Sequence, residues 1–335
     1  MGLLTRQIAI DFGSGTTRMY VPRRGVVLQE PTVLARDPED DTILAVGLAA
    51  QELIGRDSER VEAVTPLVHG VIADFAAAST LLKGYLVQAS GRFHLTQPEA
   101  MLTIPSGATS TEQRALIDIG QQVGLKNVYL IPNAVATALG ANLPVIEPRG
   151  HMVLNMGSGV SEIAVLSLGG VVNSRSVRFG GAGLTELIAR TVKREYGISI
   201  GLSTAEDVKR LVGTLDPKHK SSLKISGRAP GKQAVASIKL KSQDLRPLLE
   251  AGLEKVVLSV RAVLERTPPD LVADIAERGI SLSGGGAYLH GLPQYLSQKL
   301  QVKVELAQDP LLTAVKGAFM ALTHLNDYKR SLLGL

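Results

Sequence analysis

Apolar and polar positions alternate at Ile8 and Ile10, give way to a glycine-bearing turn at 13 to 15, and alternate again at Met19 and Val21. A period of two on either side of a short turn predicts a β-hairpin. Residues 152 to 177 repeat the plan, with Val153, a turn at Gly157 to Gly159, Ile163 and Val165, then "VVNSRSV". The repeat is long-range and internal, not that of a solenoid.

Between and after the copies the period lengthens towards that of a helix. In "PSGATSTEQRALIDIGQQVG" the residues Leu116, Ile119 and Val123 share a helix face. Ser110 with Gln113 has capping-box spacing, and Gly124 ends the pattern. The strand "NVYLI" and an alanine-rich helix from about Asn133 follow. After the second copy Leu184, Leu187, Ile188 and Val192 make one stripe, and a further helix is predicted to start at Ser203, boxed by Glu206. The longest apolar stripe runs from Leu245 through Leu248, Leu249, Leu253, Val256, Val257 and Val260 to Leu264, and "TPP" at 267 to 269 ends it. "ISLSGGGAYLHGL" predicts strand, triple-glycine turn and helix; the strand "VKVEL" and a helix near 311 to 323 complete the pattern. Strands and helices alternating in two halves predict two α/β domains with a cleft between them.

The chain has 335 residues, 45% of them hydrophobic and only 4% aromatic, with 34 glycines, which suits one large bilobal unit or two to three domains. Cysteine is absent, which excludes a disulfide framework, cysteine-bound zinc and a thiol nucleophile, and fits the cytosol. No signal-like leader opens the chain and no apolar run of about 18 residues occurs, so neither secretion nor membrane spanning is expected.

The formal charge is +5, and it is uneven. Lys218, Lys220, Lys224, Arg228, Lys232, Lys239, Lys241 and Arg246 face a single acid, Asp244, between 218 and 246. A solvated hairpin or small subdomain is one reading; an anionic surface or a neighbouring subunit is the other. No aromatics interleave with these charges, so no nucleic acid is expected as a partner.

The chemistry lies in the turns. Gly13, Ser14, Gly15, Thr16 and Thr17 in one copy, and Gly157, Ser158, Gly159, Val160 and Ser161 in the other, let backbone N–H groups approach an anion where a Cβ would intrude. One such turn serves a hairpin for steric reasons alone. Two turns on facing domains can grip a phosphate chain from both sides. Gly284, Gly285 and Gly286 would then lie under the nucleoside, and Asp11 is placed for Mg2+, which keeps several waters and borrows a carboxylate beside phosphates.

These stretches, with "RRGVVLQEPTVLA", "ALGANLPVIEP", "STAEDVK", "LERTPPDLVADIAERGISLSGGGAYLHGL" and "AQDPLLTAVKGA", resemble the actin-fold ATPases and, more closely, the MreB family of bacterial rod-shape-determining actin homologues. The resemblance implies an α/β actin-like ATPase fold, two ribonuclease-H-like domains with smaller inserted subdomains around a nucleotide cleft. Its subdomains would be IA at 1–30, 71–145 and 318–335, IB at 31–70, IIA at 146–183 and 244–317, and IIB at 184–243. It adds Gly181, Glu206 and Lys209 to the nucleotide-binding set, with ATP or ADP and Mg2+ as cofactors. It also implies ATP-dependent polymerisation into paired protofilaments and a peripheral place on the cytoplasmic face of the membrane. The implied role is guidance of peptidoglycan synthesis, with the cell-wall elongation machinery and MreB paralogues as partners. The loop "GRFHLTQP" would insert Phe93 and Leu95 with Arg92 at the headgroups, and "MGLL" supplies Leu3 and Leu4; so few apolar atoms partition weakly unless a filament multiplies them.

The chain departs from that family where water would be handled. "NMGSGVSE" stands for "DIGGGTTE", and "PNAVATALG" for "EEPMAAAIG". By alignment the water-activating Glu falls on Asn133, and the Asp that helps hold metal-bound or attacking water falls on Asn155. Ala182 replaces a further Asp. An amide cannot act as a base near neutral pH, although positioning carries much of phosphoryl transfer and an amide can still orient water. The expectation is retained ATP binding with slow or lost hydrolysis. The alternatives are an active ATPase with dynamic filaments, or a non-cytoskeletal actin-fold enzyme; no carboxylate is placed as a base for a sugar kinase, and a chaperone, which would need an additional peptide-binding domain, is not expected.

Overall fold

In the computed structural model, which describes residues 7–56, 60–90, 97–228, 235–328 and 332–333, the repeated pattern becomes a repeated sheet. In the first half β1 (Gln7–Phe12), β2 (Thr16–Val21) and β3 (Gly25–Pro31) form an antiparallel meander. A small layer follows, made of β4 (Leu34–Arg36), β5 (Ile43–Val46), α1 (Gly47–Arg56) and β6 (Glu62–Val64), then the short hairpin of β7 (Leu67–Val68) and β8 (Val71–Ile72). After α2 (Phe75–Ser90), the strands β9 (Glu99–Ile104) and β10 (Val128–Pro132), separated by α3 (Ser110–Gln122), extend the sheet in parallel to give the order β10-β9-β1-β2-β3. The helix α4 (Asn133–Gly140) then leads to the second half.

There β11 (His151–Met156), β12 (Ser161–Ser167) and β13 (Gly170–Val177) repeat the meander. Helices α5 (Gly181–Tyr196) and α6 (Leu202–Leu211) precede a ribbon of β14 (Ser222–Arg228) and β15 (Val235–Lys241). Then come α7 (Ser242–Glu265), α8 (Pro269–Arg278), β16 (Ile280–Ser283), α9 (Leu292–Leu300), β17 (Val304–Leu306) and α10 (Thr313–Thr323). The second sheet, β13-β12-β11-β16-β17, matches the first strand for strand.

The alternation at Ile8 and Ile10 marks one of two packed faces. Ile8, Ile10 and Phe12 join a core with Leu81, Leu82, Tyr85 and Ile119 from α2 and α3. The other face carries the small Ala9, packed with Met101, Ala134, Ala138 and Ala318 in a central core that also takes Val153, Ala164 and Leu166 from the second sheet. Each fully buried Ile or Leu contributes about 1.5–3 kcal/mol. Helices α4 and α10 therefore lie between the sheets. They cross so closely that a Cβ on Gly140 would strike the Thr313 backbone and one on Gly317 would strike Ala136. That crossing fixes where α4 begins, and so where Asn133 sits.

Several predicted boundaries shift. The N-cap of α3 is Thr109, not Ser110: its hydroxyl accepts from Glu112 N–H and the Glu112 carboxylate accepts from Thr109 N–H, while Gln113 bonds Ala108 instead. Helix α6 starts at Leu202 behind Gly201, which has no side chain to cap with, so Ser203 lies inside the first turn, and Glu206 accepts from Thr185 and Lys209 instead of closing a box. The long helix begins at Ser242, where the Asp244 carboxylate accepts from Lys241 N–H. "TPP" ends that helix and also starts α8, which the apolar pattern did not reveal, since Pro is suited to a first helical turn. The triple glycine leads into a single 3-10 turn at Gly285–Tyr288 before α9.

The basic stretch is an amphipathic ribbon. Ile225 and Leu240 point into the core, while Lys224 stands opposite Lys239 on the solvent face. Lys232 lies outside the described residues, as do Leu3, Leu4, Arg92, Phe93 and Leu95.

Candidate functional site

The two glycine turns meet tip to tip. A Cβ on Gly15 would fall 2.5 Å from the Ser158 Cβ, and one on Gly159 would fall 3.7 Å from the Ser14 Cβ. The segment His69–Gly70 staples both: Gly70 N–H donates to Ser14 Oγ at 2.5 Å, and His69 Nδ1 lies 3.1 Å from the Gly159 carbonyl. Thr16 is half-buried at the first turn. Thr17 is fully buried beneath it, its hydroxyl 2.9 Å from that of Thr32, which donates to Gly13 O at 2.6 Å. Ser161 is buried in the same way and donates to Phe179 O at 2.8 Å. These two hydroxyls brace the turns from behind.

The second turn is closed by Gly157 N–H donating to Val160 O at 2.8 Å, and the start of α5 packs on it, with Gly181 N–H on Gly157 O and Ala182 N–H on Ser158 O, both at 2.9 Å. Lys209 Nζ then donates to Gly181 O, Thr185 Oγ1 and Glu206 Oε2 at 2.8, 2.9 and 2.7 Å. Gly181, Glu206 and Lys209 thus form one linked group beside the second turn. The third glycine cluster reaches the same place: Gly284 has φ +85°, and a Cβ there would fall 2.5 Å from Asn155 Oδ1. Only glycine accommodates both constraints. Gly286 lies against Met156, and Gly285 near Leu311.

The duplication extends to the polar side chains under the turns. In the first sheet Asp11 pairs with Arg18 across the hairpin, and Thr103 Oγ1 donates to Asp11 Oδ1 at 2.9 Å. In the second, Asn155 pairs with Glu162, and Ser283 Oγ donates to Asn155 Oδ1 at 3.4 Å. Glu162 is 2% exposed and bridges the halves, accepting from Ser106 N–H of the first at 2.7 Å and from Ser176 Oγ of the second at 3.3 Å. Burial pushes its carboxyl above the usual range, against hydrogen bonds from Ser106, Ser176 and Asn133 that pull it down.

Asn133, the first residue of α4, lies near Glu162 and helps to hold its carboxyl down, and its own Oδ1 is buried without a partner. Ser106 Oγ, Thr137 Oγ1 and Arg18 Nε are also buried without partners. A buried polar atom without a protein partner fits water or a ligand. The Asp11 oxygens already hold Thr103 and, at 3.4 Å, Arg18, so Asp11 fits a metal reached through water rather than a direct bond. Among the described residues no group of three His, Cys, Asp or Glu could hold a metal ion.

Arg18, Glu162, Thr103 and Ser106 were not picked out from the sequence. The repeat held the signal for two of them, since a hairpin closed at 13 to 15 places Arg18 opposite Asp11, and its copy places Glu162 opposite Asn155.

Comparison with known proteins gives a consistent result. The family described as "MreB/Mbl protein" matches residues 5–330. The cell shape-determining protein MreB of Escherichia coli strain K12 is 37% identical over 327 residues, covering 96% of this chain and 94% of that protein. The cell shape-determining protein Mbl of Bacillus subtilis strain 168 is 35% identical over 326 residues, covering 97% and 98%. The crystal structure of MreB5 of Spiroplasma citri bound to ADP superimposes with a TM-score of 0.91 at 32% identity, covering 96% of this chain and 97% of that one. A MamK double helical filament, at 18% identity and a TM-score of 0.78, shares the fold.

Proposed function

The chain belongs to the MreB/Mbl family and has its actin-like α/β fold, and from that premise we propose a cell-shape cytoskeletal protein that binds ATP in the cleft and cuts it slowly or not at all. The observation that carries the reading is the pair of amides: Asn155 lies against Gly284 where the glycine clusters converge, and Asn133 opens α4 near the buried Glu162 that bridges the halves. Solved MreB5 structures of Spiroplasma citri carry ADP or AMPPNP, which supports nucleotide in the corresponding cleft here. Gly13 to Thr16 and Gly157 to Val160 would take the phosphates, Gly284 to Gly286 the nucleoside, and Asp11 an Mg2+ ion through water, which would neutralise phosphate charge.

Neither amide can take a proton from water near neutral pH. The remaining carboxylate nearby, Glu162, spends Oε1 on Ser106 and Ser176. Filaments, paired and self-associating, would then persist on the cytoplasmic membrane face with the cell-wall elongation machinery and MreB paralogues, guiding peptidoglycan synthesis. A second reading, a working ATPase with dynamic filaments, is favoured by one observation: the free Asn133 Oδ1 is an acceptor able to orient a water.

Phosphate release from the purified protein and from Asn133→Glu, Asn155→Asp and the double variant separates the two. Slow release that the double variant restores supports impaired hydrolysis; wild-type turnover equal to the double variant establishes the second reading. Sedimentation and electron microscopy with ATP test assembly, and protein that stays monomeric throughout would refute the filament assignment.

A further inference from the structure

Among the described residues of the site, Arg18 is a cation whose donors are still open. It lies one residue pair behind the first glycine turn, in register with Asp11, and its side chain is 12% exposed. Among the described residues its side chain makes one polar contact, the 3.4 Å approach of Nη1 to Asp11 Oδ2, and its buried Nε has no partner. A guanidinium carries five N–H donors in a fixed fork, matched to the paired oxygens of a phosphate. Lys209 gives the contrast, its three donors being taken by Gly181, Thr185 and Glu206. The copy of Arg18 in the second hairpin is Glu162, so positive charge stands behind the first turn only.

Resting on the nucleotide-binding reading above, we propose that Arg18 binds the phosphate chain of the nucleotide directly, with Asp11 holding its guanidinium in place. Asp11 compensates the charge but leaves most donors unused, and a phosphate oxygen beside the turn would fill them. With Asn133 and Asn155 neutral, the cleft offers few carboxylates to a divalent cation. Arg18 therefore carries charge neutralisation that would otherwise fall to the metal, and nucleotide retention tolerates metal removal.

The test is equilibrium binding of a fluorescent ATP analogue and of adenosine, with Mg2+ and with a chelator, for the full chain and for Arg18→Met and Arg18→Lys. Arg18→Met is expected to weaken ATP about tenfold or more while leaving adenosine unchanged. Chelation should weaken Arg18→Met further than it weakens the wild type. Arg18→Lys, which keeps charge but not the fork, should fall between them, and it serves if the methionine variant melts early. Wild-type affinity for ATP in Arg18→Met under both conditions overturns the proposal, as does parallel loss of adenosine, which would make Arg18 a brace for the hairpin. A wild type that binds no ATP overturns the nucleotide reading and this inference together; ATP binding indifferent to Arg18 overturns this inference alone.

Discussion

Glu162 stands directly across the β11–β12 hairpin from Asn155, in the place that Arg18 holds across β1–β2 from Asp11. The two hairpins share backbone plan and hydroxyl donor but not charge: an acid with a base in the first, an amide with an acid in the second. The lone Asp of the repeat is therefore not a carboxylate simply lost. In the second copy the acid lies on the partner strand, turned towards Ser106 and Ser176.

Glu162 should give the fold a measurable pH dependence. Burial raises its carboxyl above the ordinary 4.5. A group raised in the folded state stabilises the fold below its unfolded value, and that contribution is lost as pH rises through the folded value. Glu162→Gln keeps the acceptor for Ser106 N–H and does not titrate. Melting curves from about pH 4 to about pH 8 should show the wild type losing ground to Glu162→Gln as pH rises. A difference that stays constant with pH would remove the buried-carboxylate argument.

The crossing of α4 and α10 should tolerate no added methyl. Gly317→Ala and Gly140→Ala each force backbone apart at the base of the cleft, and each should cost roughly 1–3 kcal/mol or more. Gly55, on α1 with open space around it, is the control: Gly55→Ala should gain about 0.4–1 kcal/mol by restricting the unfolded chain. Denaturant midpoints of the three variants check this, and equal effects would mean that the close approach does not limit packing.

Much of this fold was legible because local pattern and long-range packing agree. The turns at Gly13 and Gly157 and the stripe from Leu245 to Leu264 each specify their element from neighbours in sequence. The sequence puts the caps at Ser110 and Ser203, whereas they fall at Thr109 and Gly201, because several hydroxyls stand near each helix start and only the backbone geometry selects the capping position. The site was half legible. Glycines that admit an anion show in the sequence, but the burial of Arg18 and Glu162 arises when β1 meets β9 and when Ser106 crosses to the second half. Whether a charge is open or spent, as Lys209 is, depends on partners far along the chain.

Membrane contact, proposed for Phe93 and Leu95, should respond to their polarity. Replacing both with Ser should reduce co-sedimentation with anionic vesicles, more for assembled protein than for monomer, because weak anchors add along a filament. Unchanged binding would move the contact to Leu3 and Leu4. No helix of the described residues is long and apolar enough to cross a membrane.

Restoring the acid at Asn133 should couple it to Glu162. Asn133 is near enough to that buried carboxylate to help hold it down, and Asn133→Glu would set two carboxyl groups near each other, where both cannot ionise freely and one retains its proton to higher pH. Phosphate release by Asn133→Glu should therefore exceed that of the wild type and climb with pH beyond the ordinary glutamate range. Adding Glu162→Gln removes the neighbouring charge, so the climb should move to lower pH while the plateau rate is kept. If the profile of Asn133→Glu is the same with and without Glu162→Gln, the two side chains are not coupled, and the restored acid takes its proton from water without help or hindrance from the carboxylate behind it.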